Sequence, residues 1–566
     1  MIDHPLLQPN DPTTYDRHQL VLYALHQAQR STDFHPIIKS LSPPPDITTI
    51  SPAGSFKNKK IAIIGAGAAG LASAFELRKL GFDITIFEAS KERIGGRIYT
   101  YYFDKDKNLY GELGPMRIPV SHETTWHYIN LFHLHTRPFI LNNKNAFLYV
   151  RNTRVRNDPA GKNVMEKIYP QFPLYPWEKT IPWQKLIEYA LETPLLSIPP
   201  SIRKEILQVK PAYDPLINDW GYLNIRQVLQ KMGLSEGAID LIGSVSPLEG
   251  DFYYNSYIET LQEIYPVNFS FLYEIIGGSS NLSSSFYRSL ICMNPSEYPH
   301  ISPDLLGKVT FKAGHWIRGI YLSADHHITL KYKNTCNEKI NEETFDYIIC
   351  TIPFSSLRNI EINPPFTTRK MQAIREVEYS NAQKILFLCN NRFWEKGGPN
   401  ESIVGGGSFT DLLISAIFYP SNQRNYPFTT SCSSDGPGVL LASYNYRQDA
   451  IRLGNMEEHK KVELVKRQIE KVHGLPIGYM DKIVIDYKTI NWNDVPYFYG
   501  AFCYFMPEQK RIFSYSMVTP EYNNKVFFAG EHTSSSHGWL QGALHSGSCA
   551  ANALAKYCTY QNEPLF

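Results

Sequence analysis

The sequence predicts an α/β fold, and three observations predict it. A short apolar run at residues 61–64 is followed by Gly65, Gly67 and Gly70, a helix-period segment carrying Leu71, Phe75 and Leu77, and a second apolar run at residues 84–87 that ends on Glu88. Near the other terminus, an apolar run at residues 526–529 leads into Gly530-Glu531-His532-Thr533, and a glycine turn then opens a last helix at about Trp539. Between these ends, residues 308–332 alternate as strands do, whereas residues 158–258 carry the period of helices.

Each part of the first stretch, KIAIIGAGAAGLASAFELRKLGFDITIFEASKERIGGR at residues 60–97, has a physical task. A continuous apolar run suits a parallel strand buried on both faces. Gly65 permits a tight turn out of that strand, Gly67 lets a pyrophosphate approach bare backbone, and Gly70 lets helix and strand pack closely. The helix N-terminus, with Ala68 and Ala69 in its first turn, offers free N–H groups and the positive end of its dipole to a diphosphate. Glu88, followed by Ala89, stands roughly 20 residues past the glycines, where a carboxylate accepts hydrogen bonds from ribose hydroxyls. A glycine-rich turn in any α/β protein is the alternative. The order strand, glycines, helix, strand and acid argues against it. Gly95-Gly96-Arg97 then adds a second phosphate contact, from backbone N–H groups and a guanidinium.

Composition bounds the rest. The 566 residues allow two or three domains around a large core. With 56 basic against 54 acidic residues, the charge balance argues against a nucleic-acid partner or a polybasic membrane surface. No apolar run is long enough to span a membrane. The N-terminus has neither a basic start nor an apolar core of the secretory kind, so the expectation is a cytoplasmic protein, with secretion left open. The 8 cysteines are scattered without a CxxC pair, which argues for reduced thiols and against a metal site. Residues 15–30 read as a helix, and the proline-rich residues 40–54 as a linker to the first strand.

The paired glycine motifs, the segment ELGPMRIP at residues 112–119 and the ending GEHT…HGWL at residues 530–540 together resemble the flavin-dependent amine oxidase family, in its L-amino acid oxidase branch. The resemblance runs from Lys60 to about Ala555. It implies a Rossmann-like, GR2-type FAD domain assembled from residues 59–99, 271–376 and 518–566. It further implies a mixed-sheet substrate domain from residues 100–157 and 377–517, a helical domain at residues 158–270, and an arm, residues 1–58, packing on the substrate domain.

Site residues follow from the residues and the resemblance together. Arg117, fixed between a Gly-Pro turn and a proline, is a preorganised fork for a carboxylate. A structural ion pair with an acid such as Glu112 is the alternative. The resemblance implies that Arg117 binds the substrate carboxylate, with Gly114, Pro115 and Met116 bordering the cofactor. Tyr444 and Tyr446, two apart, share one face of a strand. They are either core tyrosines or, by resemblance, a second carboxylate ligand and a side-chain pocket wall. Lys384 precedes an apolar run and reads as solvent-facing by position; by resemblance it is catalytic and holds a water against the flavin. Ile317, Trp492, Gly530, Glu531, Gly538, Trp539 and Leu540 are implied FAD neighbours, and Phe502, Gly538 and Trp539 border the substrate. No cysteine stands before the HGW segment, so FAD is expected to be non-covalent.

The resulting expectation is oxidative deamination of L-amino acids by FAD and dioxygen, yielding 2-oxo acid, ammonia and hydrogen peroxide, in a chain that could pair as a homodimer. An amino-acid 2-monooxygenase, an amine or polyamine oxidase, and a non-catalytic FAD-binding interaction protein are the alternatives.

Overall fold

The structure is a computed structural model of the chain and describes residues 7–335, 337, 339–421 and 435–562. Cys336 and Cys432 lie outside the described residues.

A five-stranded parallel sheet forms the base, in the order Val309–Ala313, Asp83–Glu88, Lys60–Ile64, Tyr347–Cys350, Val526–Phe528. The unbroken apolar run of the first strand is explained by what lies on its two sides. Ile61 and Ile63 belong to one core, shared with the helices Ala68–Lys79 and Leu540–Asn562. Ala62 and Ile64 belong to another, shared with Ile317, Ile320, Ile328 and Leu330 of a four-stranded sheet on the opposite face. Each fully buried isoleucine contributes about 1.5–3 kcal/mol, so neither face tolerates a polar residue.

The first helix approaches the strand closely because Gly70 has no side chain. A Cβ there would lie 2.0 Å from the carbonyl oxygen of Gly65. Gly65 itself turns with φ +104°, in the left-handed region. Gly70→Ala is therefore expected to destabilise the protein by about 1–3 kcal/mol through overpacking against backbone. A denaturant midpoint equal to that of the wild type would contradict this.

A second, seven-stranded mixed sheet runs Val484–Asn491, Ala382–Cys389, Gly438–Tyr446, Ala416–Phe418, Gly407–Thr410, Phe147–Val150, Thr153–Arg156. Helices between Lys162 and Ile264 stand beside it. Two of them start where the sequence supplies caps. Asn224 and Gln227 form a capping box before Ile225–Lys231, and Ser235 accepts from the N–H of Ala238 before Glu236–Val245.

The arm begins with the helix Thr14–Gln27, entered through a Thr13–Asp16 capping box. It ends before residue 30 because Gln29 turns with φ +57°, which frees Arg30 to donate to the carbonyls of Ile264 and Tyr265. Asp33 takes two bonds from Arg203, at 2.9 and 3.1 Å, and Arg17 pairs with Glu123 at 3.1 Å. The arm thus fastens to the helical region and to the helix Glu123–Leu131.

Candidate active site

The two glycine motifs meet. Gly67 and Gly95 form a bridge, and the N–H of Gly95 donates to the carbonyl of Ala66 at 2.8 Å. A Cβ on Gly67 would meet only the Cα of Gly96, at 3.8 Å, so this crossing leaves bare backbone. The helix that starts there has Gly67 at its N-cap and no side-chain cap. Its first N–H groups are left for a ligand, which is how a diphosphate site is built. Glu88 accepts from the N–H groups of Ala66 and Ser90, both at 2.9 Å, and burial raises its pKa.

Glu531 gathers distant segments. It accepts from Arg97 at 2.8 Å and from the backbone N–H groups of Cys503 and Gly538, both at 3.1 Å. Arg97 also donates to the carbonyl of Ala501. One carboxylate therefore ties the second glycine motif to both later segments.

These residues open on a cavity of about 620 Å³. It is lined by Gly65, Gly67, Ala68, Ala69, Glu88, Ala89, Gly96, Arg97, Ile317, Trp492, Gly530, Glu531 and Leu540, the expected cofactor neighbours. Gly114, Pro115, Met116, Arg117, Lys384, Tyr444, Tyr446, Phe502, Gly538 and Trp539 line the same cavity. Gly70 does not: its position faces the Gly65 carbonyl, and its part is steric. The bare crossing of Gly67 and Gly96, the uncapped helix end and the carboxylate of Glu88 fit the diphosphate and ribose of a dinucleotide.

Arg117 is held by its neighbours in the chain. The next two residues, Ile118–Pro119, pair with Leu272–Ile275. Its guanidinium lies 5.2 Å from the ring of Phe269 and 5.9 Å from that of Trp539. Among the described residues it makes no hydrogen bond or ion pair. Glu112, the acid that could have claimed it, instead accepts from Thr100 and from the N–H and hydroxyl of Ser279. Tyr444 and Tyr446 do share a face: their rings are 4.7 Å apart, and the Tyr446 hydroxyl donates to that of Tyr444. Phe502 packs edge-on against Tyr446 at 5.6 Å.

Lys384 is not solvent-facing. The whole strand Ala382–Cys389 is buried between its two neighbouring strands. Its ammonium donates to the carbonyls of Gly114 at 2.6 Å and Glu112 at 3.2 Å, and lies 4.4 Å from the ring of Tyr444. Burial lowers its pKa, against the pull of Glu112, and burial raises that of Glu112.

Sequence reasoning missed two acids on the helix Tyr257–Ile264. Glu259 pairs with His537 at 2.7 Å, and Glu263 accepts from the indole N–H of Trp539 at 3.4 Å. Burial pulls the His537 pKa down, but Glu259 outweighs it and the net shift is upward. The signal was the spacing of four, which places both acids on one helix face.

Set beside known proteins, the model of the flavin containing amine oxidoreductases matches residues 68–555. The chain belongs to that family. As a flavin-containing amine oxidoreductase it is 31% identical over 499 residues to an L-amino-acid oxidase of Vipera ammodytes ammodytes, covering 87% of this chain and 92% of that one. L-amino-acid oxidase BmooLAAO-I of Bothrops moojeni is 30% identical over 501 residues, covering 87% and 88%. A solved putrescine oxidase bound to putrescine shares the fold, with a TM-score of 0.63 at 16% identity over 87% of this chain and 98% of that one. The enzyme is an oxidoreductase whose cofactor is FAD, and the dinucleotide cleft described above is where its residues would hold it. No helix among the described residues is long and apolar enough to cross a membrane.

Proposed function

We propose that this flavin-containing amine oxidoreductase is an L-amino acid oxidase. The observation that carries the reading is Arg117. A guanidinium without a hydrogen bond or ion pair among the described residues lines the same cavity as the dinucleotide cleft, with Tyr444 in its field. A planar cation left unpaired in such a place suits a carboxylate. Simple amines offer none.

Arg117 and Tyr444 would orient the substrate by its α-carboxylate. Trp539, Tyr446 and Phe502 form an aromatic wall that excludes water. Lys384 is fixed by two carbonyls and keeps a cationic donor at the clamp side of the cavity. FAD held in this cleft would supply the acceptor for the hydride of Cα and the route of its electrons to dioxygen. The imino acid released hydrolyses to a 2-oxo acid and ammonia, with hydrogen peroxide as the other product.

The test is anaerobic mixing of the yellow holoenzyme with each L-amino acid while flavin bleaching is followed, then product analysis in air. Bleaching by amino acids, with peroxide and oxo acid, supports the oxidase. Amide and carbon dioxide would make it a monooxygenase, and bleaching by amines alone an amine oxidase. No cysteine among the described residues lines the cavity, so FAD is expected to leave the protein on mild denaturation. Flavin that stays with the precipitated chain would overturn the non-covalent assignment.

The proposal extends to the sevenfold division of the chain given above, testable by limited proteolysis. It extends also to a cytoplasmic location, consistent with six free thiols among the described residues. A homodimer is its last part, testable by light scattering.

A further inference from the structure

The cavity that Arg117 lines is also lined by residues of the helical region. Ile187, Leu191, Leu229, Ile242, Val245 and Leu248 make this part of its wall aliphatic. Set into it is Glu249, whose carboxylate has no hydrogen bond or ion pair among the described residues. Glu249 keeps an exposed side chain and is one of the residues that line the cavity. No basic side chain of residues 157–269 lines the cavity. A carboxylate with no protein cation beside it, set among aliphatic lining residues, has no use in an enzyme for apolar side chains.

The charged lining residues act on one another. Glu263 feels both Arg117 and Glu249, and Glu249 in turn feels Glu192, another lining acid. Arg117 does not figure among the groups acting on Glu249. Arg117 and the acids Glu192, Glu249 and Glu263 thus line one cavity. Burial pushes Glu249 and Glu263 up to about 7, Glu249 with the added repulsion of Glu192 and Glu263 against the opposing pull of Arg117.

We propose that the preferred substrates are L-amino acids whose side chain ends in an ammonium or guanidinium on an aliphatic stem, with Glu249 receiving that charge. The stem lies against the aliphatic wall, the α-carboxylate on Arg117 and the distal cation at Glu249. This deepens the oxidase reading and rests on it. A site that bonds a charged N–H group discriminates strongly against an analogue lacking it, because the site's own polar group is left unpaired.

The experiment compares L-lysine with L-norleucine, which has an aliphatic chain without the amine. The wild-type holoenzyme is expected to favour lysine in kcat/KM by about tenfold or more, as one charge-assisted hydrogen bond allows. 6-Aminohexanoate, which has no α-amine to oxidise, should inhibit more tightly than hexanoate by a similar factor. This reads binding without turnover and needs no variant. Glu249→Gln should lower the lysine value far more than the norleucine value, so that their ratio collapses; a merely structural role would lower both together. Glu263→Gln provides a second variant should the first fold poorly, and a smaller loss of the same ratio is expected there. If norleucine matches lysine, if hexanoate matches 6-aminohexanoate, or if Glu249→Gln lowers both substrates in proportion, the inference falls while the oxidase reading stands. If no L-amino acid bleaches the flavin, both fall.

Discussion

Arg117→Ala is expected to lower kcat/KM for L-amino acids by about tenfold to a hundredfold. A hydrogen bond to a charged group contributes about 1.5–3 kcal/mol, and about 1.4 kcal/mol is a factor of ten. The guanidinium offers two parallel donors to a carboxylate, so the loss should reach the upper part of that range. Slow turnover of the matching amines, which have no carboxylate, should hardly change. Arg117→Lys should rescue poorly, because an ammonium cannot reproduce the fork. The structure makes a further demand. Among the described residues Arg117 makes no hydrogen bond or ion pair and lies over the rings of Phe269 and Trp539, so its truncation should leave thermal stability nearly intact. A large fall in melting temperature with unchanged amino-acid kinetics would make Arg117 structural. Tyr444→Phe should show a smaller loss in the same direction and also leaves the Tyr446 hydroxyl without its acceptor.

The second large effect is expected at Lys384. Lys384→Met should slow flavin reoxidation by dioxygen by about a hundredfold, the scale seen when one preorganised donor is removed from a site of developing negative charge. Flavin reduction by substrate should slow much less. The pH dependence carries a sign. Burial lowers the lysine pKa, so the cation is present at low pH and is lost as pH rises through that lowered value. Wild-type reoxidation should therefore fall with rising pH in that window, below the ordinary lysine range, and Lys384→Met should show no such step. Stopped-flow mixing of reduced enzyme with oxygenated buffer measures both. Equal slowing of reduction, with reoxidation untouched, would assign the lysine to holding the carbonyls of Glu112 and Gly114 in place.

What was legible in the sequence had local causes. The parallel strand at residues 60–64 and the turn after it are dictated by a continuous apolar run and by glycines whose missing Cβ atoms the fold requires. Arg117 could be singled out because the residues around it are stiff. Lys384 was ambiguous for a physical reason: a lysine beside an apolar run is ordinarily solvated, and only the two flanking strands, which are remote in sequence, bury it. The acids of the helical region were invisible for the same kind of reason. Glu249 and Glu263 sit in segments that read as ordinary amphipathic helix, and nothing local says that their polar side meets a cavity instead of water. The arm's attachment was equally hidden, since it depends on Asp33 finding Arg203 across 170 residues of chain.

The meeting of Arg97 with Glu531 has a consequence for how the protein is made. The two are 434 residues apart, and at roughly 5–20 residues per second on the ribosome that interval lasts some ~20–90 s. During it, Lys60–Ile64 can pair with Asp83–Glu88, but its other edge waits for Tyr347–Cys350, which in turn waits for Val526–Phe528. The nascent chain thus carries an apolar half-sheet with an uncovered edge through most of its synthesis, the condition that invites wrong pairings. A polypeptide that stops short of Val526 cannot complete the sheet, and one that stops short of Glu531 leaves Arg97 without its carboxylate. The cofactor cleft is thus sealed only once Val526–Phe528 and Glu531 have emerged.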